Sequence, residues 1–265
     1  TGMDNNILVQ NLCKQFEDFS LDNVSFKVPK GRIVGFIGEN GAGKSTTINL
    51  ILNELSKDSG QIQVFGIDHT IPTVKENIGV VFDECNFHDV FTAADIEKIL
   101  KEVYKTWDSN LFSQYLKKFK IPTKKMIGAF SKGMKMKLSI ICAMAHRPKL
   151  LILDEPTTGV DPLSRRQFWS LVDSLRQENQ GMTVLVSTAY IDEAERFEYL
   201  LAMDDGQLIA SAPTQQVLQQ TQSHNLEQAY IRLLPEQKRT DGHGLQLTPF
   251  VKDENSPPAI EAVNL

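Results

Sequence analysis

Three cysteines in 265 residues, Cys13, Cys85 and Cys142, are too few and too far apart for a disulfide framework or a zinc knuckle, and they fit a reducing compartment. Cys85 and His88 have the spacing of metal ligands, but no second pair accompanies them. No apolar run approaches the roughly 18–20 residues of a membrane-spanning helix. No charged-then-apolar leader pattern precedes Met3, and Thr1 and Gly2 read as the remnant of a tag. An excess of positive charge is also missing. The net charge is −5 and the sequence pI about 5.6, which argues against broad nucleic-acid binding by the chain as a whole. What is present is globular: 41% hydrophobic and 23% charged residues exclude a disordered or fibrous protein, and the length suits one large domain with or without a subdomain.

Apolar and polar residues alternate through Ile7–Leu12 and again from Leu21 through Val24, Phe26 and Val28, which predicts a half-buried hairpin. Short apolar runs at Ile33–Ile37, Ile78–Phe82, Leu150–Leu153 and Thr183–Ser187 predict buried strands, and a helix is expected over Ser45–Leu55. Strands separated by helices give a mainly parallel, covered sheet. Between Asp83 and His146 the period changes. Ile96, Ile99, Leu100 and Val103 mark one amphipathic helix, Phe112, Tyr115, Leu116 and Phe119 another, so an all-helical insertion is expected over about 83–146. Asp161 and Pro162 read as N-cap and first residue of a helix whose buried face carries Phe168, Leu171, Val172 and Leu175. The main domain is expected over 3–234. From Pro235 to Pro258 the chain is polar and aperiodic, a linker over 235–259. Residues 260–265 resemble Ile7–Leu12 in spacing and in a final Asn-Leu; two readings stand, chance similarity and the start of a second copy of the domain.

Gly38-Glu-Asn40-Gly41-Ala-Gly43-Lys44-Ser45-Thr46 fits G-x-x-x-x-G-K-[ST] between a predicted strand and a predicted helix. The chemistry explains the residue types. Glycines let backbone N–H groups turn inward toward phosphate oxygens, and the helix N-terminus adds partial positive charge. Lys44 is placed to reach the β- and γ-phosphates of a nucleotide, and Ser45 to ligate Mg²⁺. Further on, Leu150-Leu-Ile-Leu-Asp154-Glu155-Pro is an apolar strand ending in two carboxylates. At a period of two they point different ways and should have different tasks: Asp154 near the metal, Glu155 polarising the attacking water.

These parts, in this order, resemble the ATP-binding cassette family over nearly the whole chain. The resemblance implies a P-loop NTPase (RecA-like) α/β core with an antiparallel β subdomain and an inserted α-helical subdomain. It also implies ATP and Mg²⁺ as ligands, and a head-to-tail sandwich with a second cassette. Phe16 stands where an aromatic residue stacks on adenine. Ser131-Lys-Gly133-Met occupies the signature position, which would meet the γ-phosphate held by the partner cassette. Gly159-Val-Asp161 takes the place of the D-loop, and Ser187-Thr-Ala-Tyr that of the switch. The N-terminal part is similar to bacterial exporter-type single cassettes. From about Arg165 the chain is similar to the first cassette of tandem ribosome-associated ATPases and ABC-2-type exporters. Before Leu150 there are eighteen Lys and two Arg, and from Leu150 onward two Lys and six Arg. That changeover is read either as local surface usage or as a join of two histories near His146–Leu150.

Three positions depart from the family pattern. Asp83 stands where a glutamine usually links the metal and water to the membrane domain; as a shorter, charged group it can still touch Mg²⁺ or its water, so it is a candidate both for catalysis and for the metal, with Ser45 and Asp154. Lys132 replaces the second signature residue. Ala189 replaces a histidine that contacts the γ-phosphate and water, and the loss of one such group typically costs about 10²–10³ in rate. Tyr190 or a water could compensate. Lys117, Lys118, Lys120, Lys124, Lys125, Lys132, Lys135 and Lys137 crowd the helical insertion. Such a run is usually a solvated face; otherwise it would meet anionic lipid or a ribosomal RNA backbone, and without a stacking aromatic pattern sequence-specific RNA binding is not expected.

The leading expectation is the ATP-binding subunit of an exporter, cytoplasmic and peripheral to the inner face of the membrane, working with transmembrane subunits. A soluble ribosome-associated ATPase and a regulatory cassette that binds ATP but barely hydrolyses it are the alternatives.

Overall fold

The computed structural model describes residues 4–241. Two sheets organise them. Strands β1 (Asn5–Gln15), β2 (Ser20–Pro29), β4 (Ser59–Val64) and β5 (Ile67–Asp68) form an antiparallel sheet in the order β2-β1-β4-β5. The second sheet runs β10-β9-β3-β8-β7-β6, with β3 (Ile33–Ile37), β6 (Ile78–Val81), β7 (Leu150–Asp154), β8 (Thr183–Thr188) and β9 (Tyr199–Asp204) parallel, and β10 (Gln207–Pro213) antiparallel at its edge.

Helices α1 (Lys44–Ile51) and α2 (Pro72–Lys75) precede β6. Between β6 and β7 the chain is helical: α3 (Ala93–Val103), α4 (Ser109–Lys118) and α5 (Lys132–Met144). Then follow α6 (Pro162–Glu178), α7 (Thr214–Gln220), α8 (Leu226–Leu233) and α9 (Glu236–Asp241).

The alternating direction of side chains in the parallel strands divides the core in two. Ile33, Ile37, Leu151, Leu153, Val184, Val186, Leu200 and Ala202 face one layer, which holds α6 and the helical insertion. Val34, Phe36, Leu150, Ile152, Leu185, Leu201 and Met203 face the other, shared with α1 and the antiparallel sheet. Because both faces are covered, the strands read in sequence as unbroken apolar runs.

Local chemistry sets several boundaries. Asp161 caps α6, its Oδ1 accepting from the Ser164 amide at 3.0 Å, with Pro162 at the first position, and Phe168, Leu171, Val172 and Leu175 are buried together with Trp169. Thr92 and Asp95 form a reciprocal capping box at the start of α3. α1 stops at Ile51, short of the expected Leu55, because Asn53 turns into the left-handed region at φ 55°.

Two further expectations change. Of the α3 stripe, Ile96 is buried and Leu100 packs partly against the core, but Ile99 and Val103 are 46% and 64% exposed. The stretch from Pro235, expected as linker, begins with α9, and Lys238 Nζ there donates to both carboxylate oxygens of Asp204 at 2.8 Å. The remainder of that stretch and the strand-like residues 260–265 lie outside the described residues. The lysine run is partly engaged within the fold: Lys118 pairs with Glu178, Lys135 with Asp89 at 3.0 Å, and Lys132 donates to the Thr158 carbonyl at 2.7 Å.

One contact in the core limits sequence choice sharply. The Phe197 ring lies against the bare face of Gly35 in β3, where an added Cβ would sit 1.9 Å from the ring edge, and the same ring meets Trp169 of α6 at a centroid distance of 5.9 Å. Gly35→Ala should therefore cost about 1–3 kcal/mol by overpacking, read as a lowered urea midpoint with an unchanged slope.

Candidate nucleotide site

The site is built where β3, β7 and β8 end, at the carboxyl edge of the parallel sheet, the usual place for ligands in such folds. β8 lies between the other two, so the strand that leads into the glycine-rich turn and the strand that ends in carboxylates are one strand apart.

Residues 38–43 wrap from β3 into α1. Gly43 adopts φ 112°, and a Cβ there would meet Leu21 at 2.8 Å and Phe19 at 2.9 Å, so only glycine fits. It gives α1 no side-chain cap, which leaves the amides of the first helical turn for a ligand. Gly41, at φ 84°, has open space where a side chain would begin. A cleft of about 770 Å³ follows, lined by Asn40, Gly41, Gly43, Lys44, Ser45, Thr46, Asp83 and Glu155, together with Phe19, Thr158 and others.

The Lys44 side chain is buried; its Nζ donates to the carbonyls of Gly38 at 2.6 Å and Glu39 at 3.1 Å, and lies 3.1 Å from Glu155 Oε1. Ser45 Oγ donates to Asp154 Oδ1 at 3.1 Å, and Ser187 Oγ donates to the same oxygen at 2.5 Å. Glu155 stands in the left-handed region at φ 49°, a conformation that costs a residue with a side chain roughly 1–2 kcal/mol. Its backbone amide donates to Ser187 Oγ at 2.9 Å, and its Oε2 accepts from the Ala189 amide at 3.2 Å.

Burial pushes the Asp154 carboxyl above its ordinary range, against the pull of the Ser187 and Ser45 hydroxyls, and the nearby Glu155 and Asp83 add to the rise. The Ser45 hydroxyl and a buried Asp154 carboxylate oxygen, 3.1 Å apart, are oxygen donors of the kind a hard divalent cation such as Mg²⁺ takes, while among the described residues no three carboxylate, His or Cys side chains are grouped to hold one by themselves. The cation would offset the crowding of negative charge that raises Asp154.

The expected residues do not all gather here. Gly38 contributes its carbonyl, and Asp154 is held behind Ser45. Phe16 is partly exposed in the turn after β1, 6.2 Å from Phe19, and it is Phe19 that lines the cleft. Ser131 and Gly133 sit at the start of α5, outside the cleft, with Ser131 Oγ capping the helix through the Met134 amide at 3.1 Å. Asp83 lines the cleft and also a groove of about 370 Å³ with Phe82, Cys85, Lys132 and Met136. Sequence reasoning gave no individual role to Ser187, Thr158 or Phe19. Ser187 lay inside the switch segment, but its double contact appears only once β8 is placed between the two other strands.

Asp154 yields a test with a definite sign. A carboxyl whose folded pKa is raised binds its proton more tightly folded than unfolded. Its stabilising contribution is complete below the unfolded value of 3.8 and is lost as pH rises through the raised folded value. Without nucleotide or divalent cation, Asp154→Asn should therefore be more stable than the parent at neutral pH, with the gap narrowing as pH falls toward that lower value. Urea unfolding across pH checks this, and Mg²⁺-dependent ATP binding should weaken in the same variant.

Comparison with known proteins agrees with the geometry. The profile of the family described as "ABC transporter" matches residues 21–158. "Probable multidrug ABC transporter ATP-binding protein YbhF" of Escherichia coli (strain K12) is 32% identical over 244 residues, 86% of this chain and 41% of that protein, in one alignment that crosses the Lys/Arg changeover. The chain thus spans less than half of that relative. The daunorubicin/doxorubicin resistance ATP-binding protein DrrA of Streptomyces peucetius is 31% identical over 92% of this chain and 76% of its own length. The lantibiotic transport ATP-binding protein SrtF of Streptococcus pyogenes is 32% identical over 76% and 88%. A solved structure titled as the ATP-binding subunit of an ABC transporter superposes with a TM-score of 0.75 at 24% identity, covering 86% of this chain and 98% of that one, which speaks for the fold. With the glycine-rich cradle, the acidic strand end and these relatives in agreement, the chain belongs to the ABC transporter family as one of its ATP-binding domains.

Proposed function

We propose that this chain is the ATP-binding subunit of an exporter, which binds ATP and hydrolyses it at the interface of two cassettes to drive membrane subunits. The observation that carries this reading is the convergence on one cleft of Lys44, the Ser45–Asp154 pair and Glu155. A nucleotide's terminal phosphates compete with Glu155 for the Lys44 ammonium, which frees the Glu155 carboxylate to accept a proton from water. Ser45 and Asp154 would hold Mg²⁺, which would supply charge neutralisation at the phosphates.

Ser131 and Gly133, which lie outside their own cleft, would serve the partner's nucleotide. The drug resistance named for DrrA and the lantibiotic transport named for SrtF support the exporter reading. Among the described residues no helix is long and apolar enough to cross a membrane. In this reading the chain lies against the cytoplasmic face of the membrane-embedded part that it drives. The groove beside Asp83 offers a docking place for it, because Asp83 lines both groove and cleft.

A second reading has its own observation. Ala189 contributes a methyl group and a backbone amide where the family has an imidazole, and the Tyr190 ring is held over the Arg165 guanidinium at 4.4 Å, not among the residues lining the cleft. That supports a cassette which binds ATP tightly and turns it over slowly, paired with a more competent one.

Steady-state ATPase rate against protein concentration separates the two, with Glu155→Gln as the blank. A parent rate well above the blank and rising with concentration supports a self-sufficient cassette. A parent at the blank, with a gain of about 10²–10³ on Ala189→His, supports the slow, paired one. If the parent fails to bind ATP, neither reading stands.

A further inference from the structure

A carboxylate that the proposed chemistry does not use is among the most enclosed in the described part of the protein. Glu193, on the 3₁₀ turn after β8 (Ile191–Arg196), has a side chain only 5% exposed, yet it lies at the centre of the segments that surround Glu155. Arg165, one turn into α6, grips it: Nε reaches Oε1 at 2.9 Å and Nη2 the same oxygen at 2.8 Å. Thr157, two residues past Glu155, donates its hydroxyl to the two carboxylate oxygens at 3.1 and 3.0 Å. Thr188, the last residue of β8, approaches from the other side at 3.5 Å. The Thr188 hydroxyl also accepts from the Tyr190 amide at 2.9 Å, and the Tyr190 ring rests on Arg165.

One ion pair thus ties together the loop after β7, the end of β8 and the start of α6. The peptide it steadies on the β8 side carries the Ala189 amide, and that amide is the group 3.2 Å from Glu155 Oε2. On the β7 side Thr157 is bonded to Glu193 two residues past Glu155, whose backbone is left-handed at φ 49°.

We infer that Glu193 and Arg165 are positioning residues for Glu155, aiming its carboxylate through Thr157 on one side and the Ala189 amide on the other. The physical reason is that residue 189 has only its backbone to offer. An imidazole could reach Glu155 or the phosphate by side-chain rotation, whereas an amide points wherever its peptide plane is fixed. Fixing that plane needs a rigid support in a low-dielectric place, and a buried, paired carboxylate accepting several hydrogen bonds is such a support. The inference rests on the reading of Glu155 as the residue that polarises water.

The test separates that reading from the positioning itself. Thr157→Val removes the hydroxyl at nearly constant shape, so the fold should survive where Glu193→Gln or Arg165→Met could unfold it; Thr157→Ser keeps the hydroxyl and is the rescue control. Amide hydrogen exchange in the nucleotide-free protein is the first readout. Thr157→Val should speed exchange at Ala189 by about tenfold while Val186, in the middle of β8, stays at the parent rate, and Thr157→Ser should behave as the parent. The second readout is turnover: kcat should fall about tenfold in Thr157→Val with KM within about twofold in the parent, and by clearly less in Ala189→His, where an imidazole reaches Glu155 by rotation.

Exchange that is unchanged at Ala189, or that rises equally at Val186, overturns the inference, the latter result marking general loosening. Exchange that responds at Ala189 alone, with no turnover in either background, supports the positioning and overturns instead the hydrolytic reading of Glu155.

Discussion

Asp154 Oδ1 accepts two hydroxyls, Ser45 from the start of α1 and Ser187 from β8, and on that oxygen the ends of β7 and β8 and the first turn of α1 are pinned together. Neither strand pairing nor core packing alone would bring these ends into register to tenths of an ångström. The parallel ladders place Leu153 opposite Val186 and Asp154 opposite Ser187, and the hydroxyls then close the remaining gap. Burial makes these bonds strong and makes the carboxylate costly. The raised Asp154 reflects that cost, and a divalent cation on the same oxygens would relieve it.

The arrangement divides the labour of two adjacent acids. Asp154 ends its strand in regular extended geometry, with its side chain turned toward α1. Glu155 leaves the strand by a left-handed step that carries its carboxylate toward Lys44 and the Ala189 amide. Two consecutive carboxylates in a regular strand would face opposite sides of the sheet. The step at Glu155 brings both to one cleft while they keep different partners.

Much of this was legible in the sequence, and the residues show why. Ile33–Ile37 is a strand to the residue because an apolar run between turn residues has few other solutions, and the spacing of Gly38, Gly43, Lys44 and Ser45 is dictated by phosphate-binding backbone that few sequences adopt by chance. Asp161-Pro162 announced a helix start because cap and first-turn chemistry are local. β9 and β10 carried no such signal: Tyr199–Asp204 is an apolar run that suits helix or strand, and only pairing with β3 decides it. α9 was hidden because the ion pair that ties it to the domain, Lys238 to Asp204, is long-range. The Glu193 cluster was out of reach for the same reason, since Thr157, Arg165, Thr188 and Glu193 meet only after the sheet has folded. Non-local side-chain geometry is what a period or a cap cannot encode.

The left-handed backbone at Glu155 has a consequence for how such a domain can change over generations. Replacing that residue by glycine or asparagine would relax the conformation and leave the sheet intact, so folding itself raises no barrier to a silent cassette. If Glu155 serves turnover, stability and turnover pull this position in opposite directions, and a population freed from selection for hydrolysis would lose the acid early and keep the cradle.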